Sequence, residues 1–257
     1  MRGKPLAGKG IVVTRPAHQT QALARLIKNA GGRAIVFPAI EIRDVEDLGP
    51  FTRLIDRLDE FDLAIFISPN SAERAMNLIS ARRKLPERLR VAAVGGGSVR
   101  ALERYGVTDV VAPQGRYDSE GLLELPAFAA MSGKRVVIFR GASGRELVGE
   151  TLRARGALVE YAECYRRVRP ELDGRPLLRA WERNELDAIT VTSSEGLHNL
   201  FDMVGAPGRE QLLRTPLFVP HPRIAEAARG LQVQKVIVTG PGDEGLLTGL
   251  GDYFKKE

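Results

Sequence analysis

The side chains that could do chemistry in this sequence are mostly of the kind that hold an anion. Small hydroxyl, amide and glycine residues recur wherever an apolar run gives way to a helical pattern: Ser68, Asn70 and Ser71; Gly95 through Ser98; Ser119; Thr192, Ser193 and Ser194; Thr239 and Gly240. A helix N-terminus leaves backbone N–H groups free and presents the positive end of the dipole, so each such turn can receive a carboxylate or phosphate. Plain N-capping selects the same residues and competes as an account of any one turn. Several turns facing one ligand favour anion binding. Arg15 and Arg140 follow apolar runs at matching places and could either bind an anion or brace a turn.

Other chemistries find little support. His18, His198 and His221 are far apart and lack ligand spacing, so no metal is expected. The single cysteine, Cys164, excludes an internal disulfide and fits a reducing cytoplasm; with no histidine placed to activate it, it reads as an inert small residue. No G-x-S-x-G elbow is present. Gly95-Gly96-Gly97-Ser98 is not part of a G-x-G-x-x-G or a G-K-[ST] motif and has no clear ribose carboxylate after it, so it does not support a dinucleotide. The net charge of +6 suggests an anionic partner or simply an arginine-rich surface. Scattered basic residues and 6% aromatics argue for an acidic small molecule over nucleic acid. No apolar run reaches the ~18–20 residues that cross a bilayer. Met1–Leu6 is basic with no apolar run after it, so a signal peptide is not expected.

The elements that must position these residues alternate between short apolar strands and amphipathic helices. Strands are expected at 11–15, 63–67, 91–94, 110–112, 134–141, 188–192, 217–219 and 236–239. Helices are expected over 22–30, near 54–58, from 72 to 79, through Tyr105, over 122–125, 145–155, around 177–181, to Met203, 224–229 and 244–254. This pattern predicts an α/β fold with parallel sheets.

The two halves repeat at a spacing of 124 to 125 residues. Gly8-Lys9…Arg15 matches Gly133-Lys134…Arg140, Gly31 matches Gly156, Ala64-Ile65 matches Ala188-Ile189, and Ser119-Glu120-Gly121-Leu122-Leu123 matches Asp243-Glu244-Gly245-Leu246-Leu247. Val159–Pro170 is rich in β-formers, and at ~3.3 Å per residue could run on the order of 40 Å, longer than an ordinary strand. Ala34–Asp44 has the same character. The pair predicts hinge strands, 39–45 and 159–169, joining two lobes over a cleft as a two-stranded β-ladder. Lobe one is then 1–38 with 170–257, and lobe two is 46–158, each mixing pieces of both repeats. Tyr165 lies within the second hinge strand.

Val13-Thr14-Arg15-Pro16, Phe37-Pro38, Ile67-Ser68-Pro69-Asn70-Ser71, Ala93-Val94-Gly95, Tyr165-Arg166, Val191-Thr192-Ser193-Ser194-Glu195-Gly196-Leu197 and Pro222-Arg223-Ile224-Ala225, taken together and in order, resemble the uroporphyrinogen-III synthase family over nearly the whole chain. The resemblance implies two α/β lobes joined by a ladder, and a cytoplasmic, cofactor-free lyase of haem biosynthesis. Its substrate would be hydroxymethylbilane, a linear tetrapyrrole with eight carboxylates. Its product would be uroporphyrinogen III, closed with the last ring inverted through an azafulvene and a spiro intermediate. The family's hinge tyrosine falls on Tyr165. A phenol is protonated at neutral pH and can donate to a departing hydroxyl; a packing tyrosine is the alternative. Ser68, Ser98 and Ser193 are carried over as binding residues. Arg15, Asn70, Gly95, Ser119, Arg140, Thr192 and Thr239 complete the expected substrate-binding set. His221 and Pro220 depart from the family pattern. A monomer is expected, with lobes that close on substrate. A two-lobed binding or sensing module for an anionic small molecule, without catalysis, is the alternative.

Overall fold

The computed structural model describes residues 4–144 and 146–255. The expected signal-free N-terminus (Met1–Gly3) and the expected helix start at Arg145 lie wholly or partly outside the described residues. In chain order the elements begin with β1 (Gly10–Val13), α1 (Thr20–Asn29), β2 (Arg33–Val36), β3 (Glu41–Arg43), α2 (Gly49–Asp56), β4 (Leu63–Phe66) and α3 (Pro69–Ser80). They continue with β5 (Arg90–Ala93), α4 (Gly96–Glu103), β6 (Val110–Val111), α5 (Ser119–Leu123), β7 (Arg135–Gly141), α6 (Leu147–Ala154) and β8 (Leu158–Val168). The last are α7 (Arg175–Glu182), β9 (Ala188–Thr190), α8 (Ser194–Arg214), β10 (Leu217–Val219), α9 (Pro222–Gly230), β11 (Val236–Val238) and α10 (Gly242–Phe254). The helix expected to end at Met203 runs on to Arg214, because the chain turns at Gly205 (φ +60°) and resumes a helix across Pro207.

Two sheets form, with strand orders β11-β10-β9-β1-β2 and β3-β8-β7-β4-β5-β6. Strands β1 and β4 read as unbroken apolar runs because both faces are covered. Side chains alternate between faces: Val12 enters one core and Ile11 and Val13 another, while Ala64 and Phe66 face away from Leu63 and Ile65. Helix α1 closes its face with Leu23 and Ile27, both fully buried. Burying such a side chain is worth about 1.5–3 kcal/mol. The chain then leaves α1 through Gly31 at φ +91°, as it leaves α6 through Gly156 at φ +87°, conformations that suit glycine.

The repeat is visible in the strand orders. Strands β2, β1, β9, β10 and β11 of one sheet stand in the same order as β8, β7, β4, β5 and β6 of the other. In these five matching positions each sheet takes two strands from one copy of the repeat and three from the other, and β3 adds a sixth strand at one edge of the larger sheet. The same contact recurs in both. Asp187 accepts from Lys9 Nζ (3.1 Å) and from the Gly10 N–H (2.8 Å). Asp62 accepts from Lys134 Nζ (3.0 Å) and from the Arg135 N–H (2.9 Å).

The chain divides into two compact units, residues up to Glu41 with those from Val168 onward, and Ile42–Arg167. The divisions fall within β3 and near the end of β8, which are neighbours in the six-stranded sheet. Two details differ from the sequence reading. The stretch Ala34–Asp44 is two short strands, because Pro38 has no N–H to donate; Phe37 and Ala39 reach Val13 and Thr14 on either side of it. The long strand β8 neighbours β3, and beyond the expected two-stranded ladder it also pairs with β7 from Leu158 onward, where its backbone groups are satisfied. No helix of the described residues is long and apolar enough to cross a membrane.

Candidate functional site

In the unit formed by Ile42–Arg167, the carboxyl ends of β4, β5 and β7 carry most of the predicted residues. Ser68 ends the β4 segment and caps α3, with Pro69 at the first helical position. Its Oγ accepts from the Ser71 N–H at 3.1 Å, and Ser71 Oγ accepts from the Ser68 N–H at 2.9 Å, a reciprocal capping box. Ser71 Oγ also donates to the Ser68 carbonyl at 2.8 Å. Ser68 Oγ has a further partner, the Tyr165 hydroxyl at 3.0 Å. Arg167 Nη2 donates to that hydroxyl at 3.4 Å, and its guanidinium lies 5.9 Å from the Tyr165 ring centroid.

A β-bulge places the tyrosine. Strands β7 and β8 run in register from Arg135 opposite Leu158 to Arg140 opposite Glu163, and then shift so that Gly141 faces Tyr165. Alternation breaks, and the neighbours Cys164 and Tyr165 both turn into the core. Gly141 makes room: a Cβ there would stand 2.9 Å from the ring carbons Cε2 and Cζ. Tyr165, expected on a strand facing a cleft, is only 2% exposed, and it is Ser68, half-buried, that stands between its hydroxyl and the surface of the unit. Cys164 Sγ donates to the Arg140 carbonyl at 3.2 Å, and burial pushes its thiol up to about 12.

The hydroxyl count orients this group. A hydroxyl donates once and accepts twice. With Arg167 donating into the phenol, the phenolic hydrogen is directed to Ser68. Ser68, accepting from Tyr165 and from the Ser71 N–H, has only the long 3.4 Å contact to Ser71 Oγ for its own hydrogen, which a closer acceptor can take over.

The remaining predicted residues of this unit fall in varied roles. Asn70 is buried in the first turn of α3. Gly95 is the N-cap of α4, and Ser98 lies inside that helix, buried. Ser119 begins α5 but does not cap it; Asp118 does, accepting the Gly121 N–H at 2.8 Å. Arg140, expected to bind an anion or brace a turn, braces one. It is buried and its guanidinium reaches Glu146 Oε1 (2.5 Å), the Gly144 carbonyl (2.9 Å) and the Gly141 carbonyl (3.2 Å).

In the other unit, Ser193 caps α8, its Oγ accepting the Gly196 N–H at 3.0 Å, with Thr192 just before it and half-buried. Thr239 Oγ1 donates to the Gly240 carbonyl at 2.9 Å. Arg15 is ion-paired with Asp243, which ties the end of β1 to the first turn of α10. His221 caps α9, its Nδ1 accepting the Arg223 N–H at 3.1 Å, so an imidazole does there what serine does at Ser68 and Ser193. Three residues were missed in the sequence: Gly141, Arg167 and Asp118. The pattern Asp118-x-x-Gly121 could have revealed the cap. The bulge that makes Gly141 matter leaves no mark in composition or spacing.

Comparison with known proteins agrees across sequence and structure. The family model described as "Uroporphyrinogen-III synthase HemD" matches residues 21–248. The uroporphyrinogen-III synthase of Escherichia coli strain K12 is 34% identical over 92% of this chain and 97% of its own length. That of Salmonella typhimurium strain LT2 is 35% identical over the same shares. A putative uroporphyrinogen-III synthase of Methanothermobacter thermautotrophicus is 32% identical over 78% of this chain and 79% of its own. Among solved structures, a mutant uroporphyrinogen III synthase of the extremely thermophilic bacterium Thermus thermophilus matches with a TM-score of 0.66 at 19% identity, covering 97% of this chain and 100% of that one. The Helicobacter pylori 26695 enzyme matches at 0.56 and 14% identity, covering 93% and 96%. At those identities the structures speak for the fold.

Proposed function

Because the chain belongs to the uroporphyrinogen-III synthase family, and so to a family of cyclising enzymes of porphyrin biosynthesis, we propose that it closes hydroxymethylbilane to uroporphyrinogen III, with inversion of the last pyrrole ring and loss of water. The observation that carries the site is the 3.0 Å contact between the Tyr165 and Ser68 hydroxyls at the N-terminus of α3. Within the unit Ile42–Arg167, the helix N-termini at Ser68 and Gly95 supply backbone amides for carboxylates of the substrate. Such amides hold many carboxylates without a dedicated arginine for each, which suits a chain whose Arg15 and Arg140 are already paired.

Loss of the substrate hydroxyl needs a proton. Ser68 gives its hydrogen to the departing oxygen, which leaves as water, and takes the phenolic proton of Tyr165 in return; Arg167, over the ring, stabilises the charge left on the phenol oxygen. The electron-deficient azafulvene is attacked by the terminal pyrrole through its substituted carbon. The spiro intermediate breaks and recloses, and the proton lost when the macrocycle regains its aromatic pyrrole returns to Tyr165. Tyr165 thus acts through Ser68. A reducing compartment without membrane association is part of this proposal.

The test is consumption of hydroxymethylbilane by the purified chain, scored by isomer. Type III product above the spontaneous type I background is expected. Tight binding with only type I product would replace this reading with a non-catalytic binding module.

A further inference from the structure

The opposite edge of the six-stranded sheet holds a cavity of about 240 Å³, unrelated to the helix N-termini described above. Leu63 and Arg90 open β4 and β5 there, and Lys134 immediately precedes β7, so the cavity lies at the amino ends of strands whose carboxyl ends carry Ser68 and Gly141. Its floor is apolar, with Leu63, Phe128 and Met131 buried. Its rim holds three cations, Arg88, Arg90 and Lys134, against one carboxylate, Asp62. Asp62 is already held by Lys134 Nζ and the Arg135 N–H. Arg88 donates to the Asp59 carbonyl. The Arg90 backbone N–H donates to the Asp62 carbonyl (3.1 Å), while its guanidinium makes no hydrogen bond or ion pair among the described residues. An apolar floor beneath a cationic rim with a free guanidinium is the complement of a small amphiphilic anion.

The duplicated unit shows what belongs in this place. There the Lys9–Asp187 pair repeats Lys134–Asp62, and Lys9 Nζ is covered by the ring of Phe254 at 4.8 Å from its centroid. Phe254 ends the thirteen-residue helix α10, where the six-stranded sheet has only the five-residue α5. One compact unit therefore closes its cation with an aromatic ring of its own. The other leaves a hollow beside the equivalent lysine, with no ring over it among the described residues.

We propose that the cavity lined by Arg90, Lys134, Phe128 and Met131 binds a single-ring aromatic carboxylate, its ring on the apolar floor and beside Lys134, its carboxylate on Arg90. The volume falls below the roughly 300–1,000 Å³ of pockets for drug-sized molecules, which suits one ring and excludes a four-ring tetrapyrrole. The site is a second one, independent of the cyclisation chemistry.

Titration of the full chain with benzoate, followed by methyl resonances, tests this. Leu63, Val111 and Met131, which all line the cavity, are expected to shift together and saturate, and Arg90→Ala to weaken binding about tenfold, the worth of a charge-assisted hydrogen bond. Arg90 is exposed, so its removal leaves the fold intact. Inorganic phosphate, which carries charge without a ring, is expected to leave the three methyls unmoved. Unmoved methyls with benzoate, wild-type affinity in Arg90→Ala, or phosphate acting as benzoate does would each overturn the proposal. The readout is binding, so a chain that fails to cyclise hydroxymethylbilane could still pass this test.

Discussion

Replacing Tyr165 by phenylalanine separates the packing role of the ring from the chemical role of its hydroxyl. The ring stays against Gly141 in the core, and one oxygen is lost with its contacts to Ser68 at 3.0 Å and to Arg167 at 3.4 Å. A net intramolecular hydrogen bond is worth about 0.5–1.5 kcal/mol, and the 3.4 Å contact is weak, so the loss of stability is about 1 kcal/mol. Against a typical 5–15 kcal/mol this leaves the variant folded. A proton donor in the rate-limiting step contributes roughly 10²–10⁴-fold, about 2.7–5.4 kcal/mol in the barrier. The two readouts therefore part: kcat for type III product falls by roughly 10²–10⁴, while KM, set by amides elsewhere, and the melting temperature move little. Turnover equal to wild type in a folded Tyr165→Phe would refute the relay.

Gly141→Ala places a Cβ 2.9 Å from the tyrosine ring, which must move; a loss of about 1–3 kcal/mol is expected from overpacking, with a fall in kcat at unchanged KM, read by urea unfolding and steady-state kinetics. Arg140→Lys cannot reach the Gly141 and Gly144 carbonyls and Glu146 together, and in a side chain 7% exposed this should cost about 1–3 kcal/mol, measured by chemical denaturation. Asp62 is held below the ordinary carboxylate range, first by the Arg135 N–H and then by Lys134. Its contribution is present above the unfolded-state value and is lost as pH falls through the depressed folded value. The stability gap between wild type and Asp62→Asn, read from urea midpoints, should therefore close on acidification and stay level above neutrality.

What the sequence disclosed was periodic or local. Apolar runs such as Ile11–Val13 and Ala64–Phe66 are legible as two-faced strands because nothing but burial on both sides explains them. Gly8, Gly31 and their mates Gly133 and Gly156 announced the duplication, since all four adopt positive φ. What stayed hidden depends on the path the backbone takes and on how each side chain is spent along it. For Arg140 the sequence leaves anion binding and turn bracing both open, because a guanidinium carries no sign of how it is spent; the structure spends it on carbonyls of the following loop. Ser119 reads as a cap in the sequence because a hydroxyl before an apolar turn resembles one, whereas the side chain that reaches the Gly121 N–H belongs to Asp118, one residue earlier. The sequence puts Tyr165 on the strand that the structure shows, yet its inward direction follows from one bulge.

The duplication also supplies a control for the chemistry. Ser68 and Ser193 stand 125 residues apart, and both cap a helix by accepting an N–H three residues on. Counting back by the same interval from Tyr165 gives Ile40, which is buried in the other unit beside Gly196. The cap is thus present twice and the phenol behind it once. Replacing either serine by alanine removes an N-cap worth about 1 kcal/mol, so Ser68→Ala and Ser193→Ala should lower unfolding stability alike. Only Ser68→Ala breaks the path from the phenol to a departing hydroxyl, so it alone should lower kcat toward the Tyr165→Phe value. Combining it with Tyr165→Phe should add little, as expected of groups that act as one unit. Equal losses of kcat in the two serine variants, measured beside their unfolding curves, would mean that these hydroxyls serve the helices and not the reaction.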